Sequence, residues 1–228
     1  MYSHARSICG IKVLKNKSPI LKEHIKNTEA PSLYGHQVWK SSFLLMEYLS
    51  ENPLVDNQRV MDVGCGWGLL GIFCAKHFAS DALLVDADHR VFPYVGFHQD
   101  LNEVSVQTSH TSFGDLAHKD FAEQDVVVGA DICFWPELTT QLRSMFVRAL
   151  EAGVKRIILA DPGRKTFHQL ADFFSTHYNA TVVQRESRGR TKSMGYLLLI
   201  DGQGSEALES DDLESPNFCS AISLLEAV

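Results

Sequence analysis

A glycine-rich run directly after a short apolar segment constrains this chain more than any other feature. The run VMDVGCGWGLLG (residues 60–71) places a strand before three alternating glycines and the start of a helix. Glycine lets the backbone turn sharply and lets a ligand approach the main chain closely. The following helix presents free N–H groups and the positive end of its dipole to that ligand. The sequence therefore predicts a strand–loop–helix unit that binds a small molecule.

A second apolar strand ends in an acid, Asp86, eighteen residues after Gly68. A carboxylate at that strand end can accept hydrogen bonds from both hydroxyls of an adenosine ribose. We therefore predict a nucleoside-cofactor site at the glycine loop and Asp86. The alternative is a glycine-rich turn beside an unrelated surface acid.

The glycine loop fits two cofactor templates. Gly66, Gly68 and Gly71 have the spacing of the dinucleotide fingerprint, so an NAD-binding oxidoreductase is one alternative. The pattern D-x-G-x-G-x-G that begins at Asp62 instead resembles the signature motif of S-adenosylmethionine-dependent methyltransferases. S-adenosylmethionine carries an ammonium and a sulfonium, whereas a dinucleotide carries a pyrophosphate, so a carboxylate at position 62 favours the former. We therefore predict S-adenosyl-L-methionine as the cofactor.

Composition and charge limit the class of protein. The chain of 228 residues is long enough for one α/β domain, and no stretch approaches the ~20 apolar residues of a membrane span. Residues 1–40 carry a net charge of +5, residues 41–200 carry −5 and residues 201–228 carry −7. This distribution argues against nucleic-acid binding, which needs clustered cations. Five cysteines without CxxC pairing predict a reducing compartment.

Apolar strands and amphipathic helices alternate along the chain. Strands are predicted at 59–64, 82–86, 104–109, 125–130, 154–160, 181–186 and 194–200. Helices are predicted at 36–50, 68–79, 90–102, 136–151 and 164–178. Such alternation implies a parallel, doubly wound sheet, but only a polar loop joins the last two strands, so the last strand is expected to run antiparallel. The predicted fold is α/β, a Rossmann-like sheet of seven strands.

A segment before the glycine loop extends the resemblance. The sequence YGHQVWKSS (residues 34–42) is similar to the N-terminal signature of the seven-strand protein lysine methyltransferases, a group that includes enzymes modifying chaperones and the electron transfer flavoprotein β-subunit. The resemblance covers about residues 34–200. It implies that Trp39 packs beside the cofactor; a core aromatic of an amphipathic helix is the alternative.

The same resemblance predicts an Asp-x-x-Tyr motif after the fourth strand of the sheet. This chain has Asp131 there, but Phe134 replaces the tyrosine. The resemblance implies that Asp131 orients or deprotonates the incoming amine and that adenine lies by the strand end at Ala130. The alternative is that Asp131 caps the helix that begins at Pro136.

Further site residues follow from the strand ends and from the resemblance. Asp115 resembles the acid that accepts from the adenine amino group, with a turn-forming Asp as the alternative. The histidines show no metal-ligand spacing, so no metal is predicted. The predicted cofactor-binding residues are Trp39, Asp62, Gly64, Cys65, Gly66, Gly68, Asp86, Asp115 and Ala130, and Asp131 is the predicted catalytic residue.

Two groups of basic residues lie near the predicted substrate side. Arg164 meets either an acidic partner or solvent at a helix start. The basic loop with Arg185, Arg188, Arg190 and Lys192 is either solvated or steers an acidic protein.

The expected activity is methyl transfer to a lysine side chain of a protein. The alternatives are a small-molecule amine as acceptor, or a non-catalytic interaction module. We expect a monomer, with no nucleic acid or membrane partner. We predict a cytoplasmic location; a mitochondrial address is the alternative, because residues 1–22 hold five Lys/Arg and no acid.

Three regions are predicted along the chain. Residues 1–31 are polar and without a periodic pattern, and we predict a basic N-terminal extension there. The methyltransferase domain is predicted at residues 32–200, and residues 201–228 are predicted as an acidic C-terminal tail. The tail has too few apolar residues at 206–214 to order itself, although its last residues could dock as a short amphipathic helix.

Overall fold

The computed structural model describes residues 4–31, 34–35, 37–188 and 194–202. The strands are β1 (Ala5–Ile8), β2 (Ile11–Leu14), β3 (Arg59–Val63), β4 (Asp81–Asp86), β5 (Gln107–His110), β6 (Val126–Ala130), β7 (Arg156–Asp161), β8 (Ala180–Glu186) and β9 (Met194–Asp201). The helices are α1 (Pro19–Asn27), α2 (Lys40–Glu51), α3 (Leu69–Phe78), α4 (Phe92–Asn102), α5 (His118–Phe121), α6 (Pro136–Glu151) and α7 (Lys165–His177). The tail at 203–228, Arg190 and Lys192 lie outside the described residues, so what was predicted for them stays a prediction.

Seven of the described strands form one sheet, in the order β5-β4-β3-β6-β7-β9-β8. β3 pairs in parallel with β4 and β6, β4 with β5, and β6 with β7. β9 lies antiparallel between β7 and β8, with Ile158 opposite Leu199 and Val182 opposite Leu198. The predicted Rossmann-like sheet with an antiparallel last strand is therefore confirmed.

Helices cover both faces of the sheet, which explains why its central strands are apolar at consecutive positions. Val60 points into a core formed with α2 and α3, whereas the next residue, Met61, points into a core formed with α6 and α7. Neither side chain has any exposed surface. With both faces closed, the carboxyl ends of the parallel strands are the open edge where a ligand can bind.

The sequence of residues 1–31 shows no periodic pattern, but two strands and a helix, β1, β2 and α1, form within residues 4–31. β1 and β2 pair as an antiparallel hairpin, and Ile11, Val13 and Leu21 are fully buried. The backbone N–H of Leu14 donates to Nε2 of His98 on α4, at 3.2 Å. Four-residue strands are too short to show a convincing period in the sequence, and contacts with a distant helix supply their burial. The division of the chain into domains stays a prediction.

The start of α2 differs from the predicted helix at 36–50. Trp39 has extended backbone angles (φ −94°, ψ 142°), and the helix begins at Lys40. Residues 34–35 and 37–39, which precede the helix and are called the strap below, line the clefts at the carboxyl edge of the sheet. None of the described helices has the length and apolar character that crossing a membrane requires.

Candidate active site

Glycine gives the loop after β3 its shape. Gly68, directly before α3, has a positive φ of 73°, and a Cβ there would lie 2.6 Å from Cδ2 of Leu84. Gly66 also has a positive φ, of 53°, but nothing lies within 4 Å of the position that its Cβ would occupy. Gly68 is thus needed for packing, whereas Gly66 leaves open space beside the main chain. A ligand can use that space.

Asp86, at the end of β4, fastens the glycine loop. Its Oδ2 accepts a hydrogen bond from the backbone N–H of Gly66 at 3.0 Å, and its Oδ1 accepts one from the N–H of Asp88 at 2.9 Å. Burial raises the pKa of the Asp86 carboxyl. Among the described residues no cation forms an ion pair with Asp86. Each oxygen of Asp86 therefore keeps a lone pair that a ligand can use. Its negative charge is not neutralised by an ion pair among the described residues.

Asp62 supports the loop from behind. Its Oδ2 accepts a hydrogen bond from the backbone N–H of Gly71 at 3.0 Å, which ties β3 to the first turn of α3. The side chain is buried, and this burial raises the pKa of Asp62 to about 7. Asp62 does not line the cleft formed by the described residues. The charge argument made from Asp62 in the sequence therefore applies to Asp86 instead.

A cleft at the carboxyl edge of the sheet brings together six of the predicted site residues. These are Trp39, Gly64, Gly66, Asp86, Ala130 and Asp131. They come from the strap and from the ends of three neighbouring strands, β3, β4 and β6. The ends of these three strands therefore lie together at one edge of the sheet.

Three other predicted residues do not line the cleft. Cys65 lies in the loop, and its N–H donates to the carbonyl of Val85 at 3.1 Å. Gly68 packs against Leu84, as described above. Asp115 accepts a hydrogen bond from Oγ of Ser112 at 2.6 Å, which is the turn-forming role considered as the alternative. Their predicted contact with the cofactor stays a prediction.

The apolar walls of the cleft were not identified in the sequence. Val91, Phe113 and Ile132 contribute them, and Phe113 is two residues before the predicted Asp115. Each follows the end of a strand by a few residues, which is the signal that could have found them. Apolar walls suit a flat base such as adenine, because stacking removes both surfaces from water.

Asp131 occupies a strained position that joins two distant segments. Its φ is 60°, and its side chain is 4% exposed. Oδ2 accepts a hydrogen bond from the backbone N–H of Ser41 at 3.0 Å, and Oδ1 accepts one from Nη2 of Arg164 at 3.1 Å. Asp131 thus caps α2. In the described structure no side chain caps the start of α6 at Pro136. The alternative role at Pro136 is wrong.

Three aromatic rings stand beside Asp131. The rings of Tyr34 and Phe134 are stacked, with centroids 4.7 Å apart and an interplanar angle of 19°. Trp39 meets Phe134 edge-on at 5.5 Å, and its Nε1 donates to the carbonyl of Tyr34 at 3.2 Å. Trp39 therefore lies in the cleft and not in the core of α2. The electron-rich ring faces favour a cation.

Arg164 is occupied within the protein. Its guanidinium bridges the carboxylates of Asp131 and Asp161 and lies over the ring of Phe134, 4.5 Å from the centroid. In the neighbouring basic loop, Arg185 and Arg188 both pair with Glu51. The described part of this loop therefore offers less net positive charge to an acidic partner than the sequence implies.

A second cleft opens on the other side of Asp131. It is lined by Lys40, Leu44, Pro162, Arg164 and Met194, and it shares Gln37, Trp39 and Asp131 with the first cleft. The two clefts therefore meet at the strap and at the end of β6. One can hold a cofactor while the other admits an acceptor.

The first cleft fits S-adenosylmethionine. No Lys, Arg or His is among the described residues that line it, so it has no cation for a pyrophosphate. Its open Gly66 position, the uncompensated carboxylate of Asp86 and its apolar walls suit an adenosine group that carries positive charge. Gly66 and Asp86 would hold the cofactor, with Trp39 and Ala130 beside it.

Comparison with known proteins gives relatives in one class of enzyme. The chain is 29% identical over 170 residues to "Protein-lysine N-methyltransferase EFM3" of Chaetomium thermophilum. The aligned residues cover 64% of this chain and 50% of the relative. It is 25% identical over 130 residues to "Electron transfer flavoprotein beta subunit lysine methyltransferase" of Xenopus laevis. Here the aligned residues cover 57% of this chain and 52% of the relative. The chain thus spans about half the length of these relatives.

Solved structures confirm the fold. A precorrin-6y C5,15-methyltransferase of Geobacter metallireducens has a TM-score of 0.54 at 15% identity, covering 67% of this chain and 83% of the other. A ribosomal protein L11 methylase of Lactobacillus delbrueckii has a TM-score of 0.52 at 16% identity, covering 75% and 81%. The family model described as "Lysine methyltransferase" matches residues 15–177. The chain therefore belongs to the lysine methyltransferase family and carries its class I, S-adenosylmethionine-dependent methyltransferase domain.

Proposed function

We propose that this protein transfers a methyl group from S-adenosylmethionine to a lysine side chain of another protein. Two of the relatives named above act on protein lysines, according to their names. The family model that matches most of the chain has the same description. A monomeric state and a cytoplasmic location are part of this proposal.

The observation that carries the proposal is the junction of the two clefts at Trp39 and Asp131. A long side chain that enters the second cleft reaches the first one at this junction. There it meets the ring of Trp39 and the carboxylate of Asp131, which can orient the amine at its end. A lysine side chain is long and unbranched and ends in an amine, which suits such a passage.

Each group at the junction has a separate task. When bound, the cofactor would supply a methyl group that a positively charged sulfur activates for transfer to an uncharged amine. Asp86 holds the ribose end of the first cleft, and Asp131 keeps a lone pair on each oxygen to orient the amine. The rings of Tyr34, Trp39 and Phe134 exclude water around the amine.

Labelling of a protein extract tests the proposal. The purified chain is incubated with tritiated S-adenosylmethionine and a heat-treated protein extract, and the labelled proteins are hydrolysed to amino acids. Label in methyl-lysine supports the proposal, and an Asp86→Ala variant serves as the control that lacks the ribose contact. Label confined to the small-molecule fraction would indicate the small-molecule amine alternative and would overturn the protein-lysine acceptor.

A further inference from the structure

The loop between β7 and α7 holds one side chain in a fixed place. Oδ1 of Asp161 accepts hydrogen bonds from the backbone N–H groups of Gly163, at 2.9 Å, and of Arg164, at 2.8 Å. The other oxygen of Asp161 pairs with Nη1 of Arg164. Asp161 has no exposed surface, so this bracket is rigid. It fixes the guanidinium of Arg164 against Asp131.

The position of Arg164 matters for any amine at the junction. Arg164 lines the second cleft, its Nη2 is 3.1 Å from Oδ1 of Asp131, and it lies over the ring of Phe134. An amine that reaches Asp131 through this cleft therefore comes close to a permanent positive charge. Asp131, with both oxygens already hydrogen-bonded, is poorly placed to serve as a strong base.

A lysine amine must lose its proton before it can accept a methyl group, and its ordinary pKa is about 10.4. A neighbouring cation disfavours the charged form of an amine, as does removal from water. A lone carboxylate would do the opposite and would hold the ammonium. The pairing of Asp131 with Arg164 changes this balance in favour of the neutral amine.

We infer that Arg164 is a positioning residue that favours the uncharged form of the acceptor amine, because it offsets the negative charge of Asp131 that would otherwise hold the ammonium. The proton of the ammonium passes to solvent water through the second cleft, and no protein base accepts it. This inference rests on the proposed function. It assigns to Arg164 a role in the acceptor site, and it limits Asp131 to orienting the amine.

The other charged and titratable groups around Arg164 come from several elements. Asp161 ends β7, and burial raises the pKa of its carboxyl. Cys133 follows β6, and burial raises the pKa of its thiol, so it stays neutral. Lys40 lines the second cleft from α2, the phenol of Tyr34 stands on the strap, and His168 on α7 lies against Tyr196. Of these groups, Lys40 adds positive charge and so favours the uncharged amine, as Arg164 does. The negative charge of Asp161 favours the ammonium form.

The test is the pH dependence of methyl transfer at saturating cofactor. The probe is the labelled protein fraction of a heat-treated extract, with Arg164→Gln, Arg164→Lys and Asp161→Asn compared with the natural chain from pH 6 to about pH 10. For Arg164→Gln we expect the midpoint of the rising limb to move up by roughly 1 unit, with activity approaching that of the natural chain at high pH. Arg164→Lys should keep the natural midpoint, and Asp161→Asn should move it down.

Binding of S-adenosylhomocysteine within about threefold of the natural chain is the check that each variant is folded. If Arg164→Gln fails this check, the downward shift of the midpoint in Asp161→Asn, compared with the unchanged midpoint in Arg164→Lys, still decides. An unchanged midpoint in folded Arg164→Gln and Asp161→Asn, or an equal loss of activity at every pH, would overturn the inference while the proposed function stands. A natural chain that labels no protein overturns the proposed function, and the inference with it.

Discussion

Oδ2 of Asp131 and the backbone N–H of Ser41 are 3.0 Å apart, although 90 residues separate them in the chain. This hydrogen bond caps α2 and holds the preceding strap, with Trp39, against the end of β6. One carboxylate therefore sets the position of an aromatic wall of the active site and also faces the acceptor. Its two tasks can be separated by substitution.

Replacement of Asp131 by Asn should spare the cap and lose the charge. The amide oxygen of Asn can still accept from Ser41, but the ion pair with Arg164 is removed. We expect protein labelling to fall about 100-fold, because a misplaced amine loses alignment, with little change in S-adenosylhomocysteine affinity. Asp131→Ala is the matched variant, since it also removes the cap. An Asn variant with full activity would contradict the role of Asp131.

Calorimetry of the Asp86→Ala and Asp115→Ala variants compares the contributions of these two carboxylates to cofactor binding. Asp86→Ala should weaken S-adenosylmethionine binding by roughly 1–3 kcal/mol, because it removes a ribose acceptor and releases the N–H of Gly66. Asp115→Ala should change the affinity by less than about 0.5 kcal/mol if its carboxylate serves only the turn at Ser112. A large loss for Asp115→Ala would support the sequence-based contact with adenine and would contradict this ranking.

The buried carboxyl of Asp62 should make stability depend on pH. Burial raises its pKa to about 7 in the folded chain, against 3.8 for an exposed group, so the folded state binds the extra proton in this interval. Its contribution to the free energy of unfolding therefore falls as the pH rises from about 4 to about 7.

Asp62→Asn should remove this part of the pH dependence, since the amide oxygen still accepts from Gly71 and has no charge to desolvate. Urea unfolding at several pH values measures the difference from the natural chain. Asp100→Asn, at an exposed position of α4, is the control. Parallel pH profiles for the natural chain and Asp62→Asn would refute the assignment.

The contribution of His98 to the free energy of unfolding should have the opposite pH dependence. Burial lowers the pKa of His98 to about 4, and its neutral ring accepts the N–H of Leu14 on Nε2. The unfolded chain binds the proton more readily, so this contribution to stability is lost as the pH falls from about 6.5 to about 4. The protection factor of the Leu14 amide in hydrogen exchange should fall over this interval. His98→Ala should remove the pH effect and cost roughly 1–3 kcal/mol at pH 7, because it leaves that N–H without a partner.

The predicted elements of the sheet were those with strong local patterns. β3, the loop after it and α3 were located within about a residue at each end, because glycines and apolar residues within twelve positions specify them. β5 was predicted at 104–109 and begins at Gln107, since the polar sequence of this edge strand gives little signal. β1 and β2 were missed because their burial depends on α4, far along the chain.

The sequence by itself determined the glycine loop, Asp86 at its strand end and the order of strands and helices. These depend on backbone propensity and on the period of apolar residues, which act over a few neighbouring positions. Only the tertiary structure decided which carboxylates face the ligand. Asp62 and Asp86 look equivalent in the sequence, but one accepts from α3 in the core and the other faces the cleft. The pairing of Asp131 with Ser41 and Arg164 joins three distant segments, and such contacts arise only when the sheet and its helices pack together.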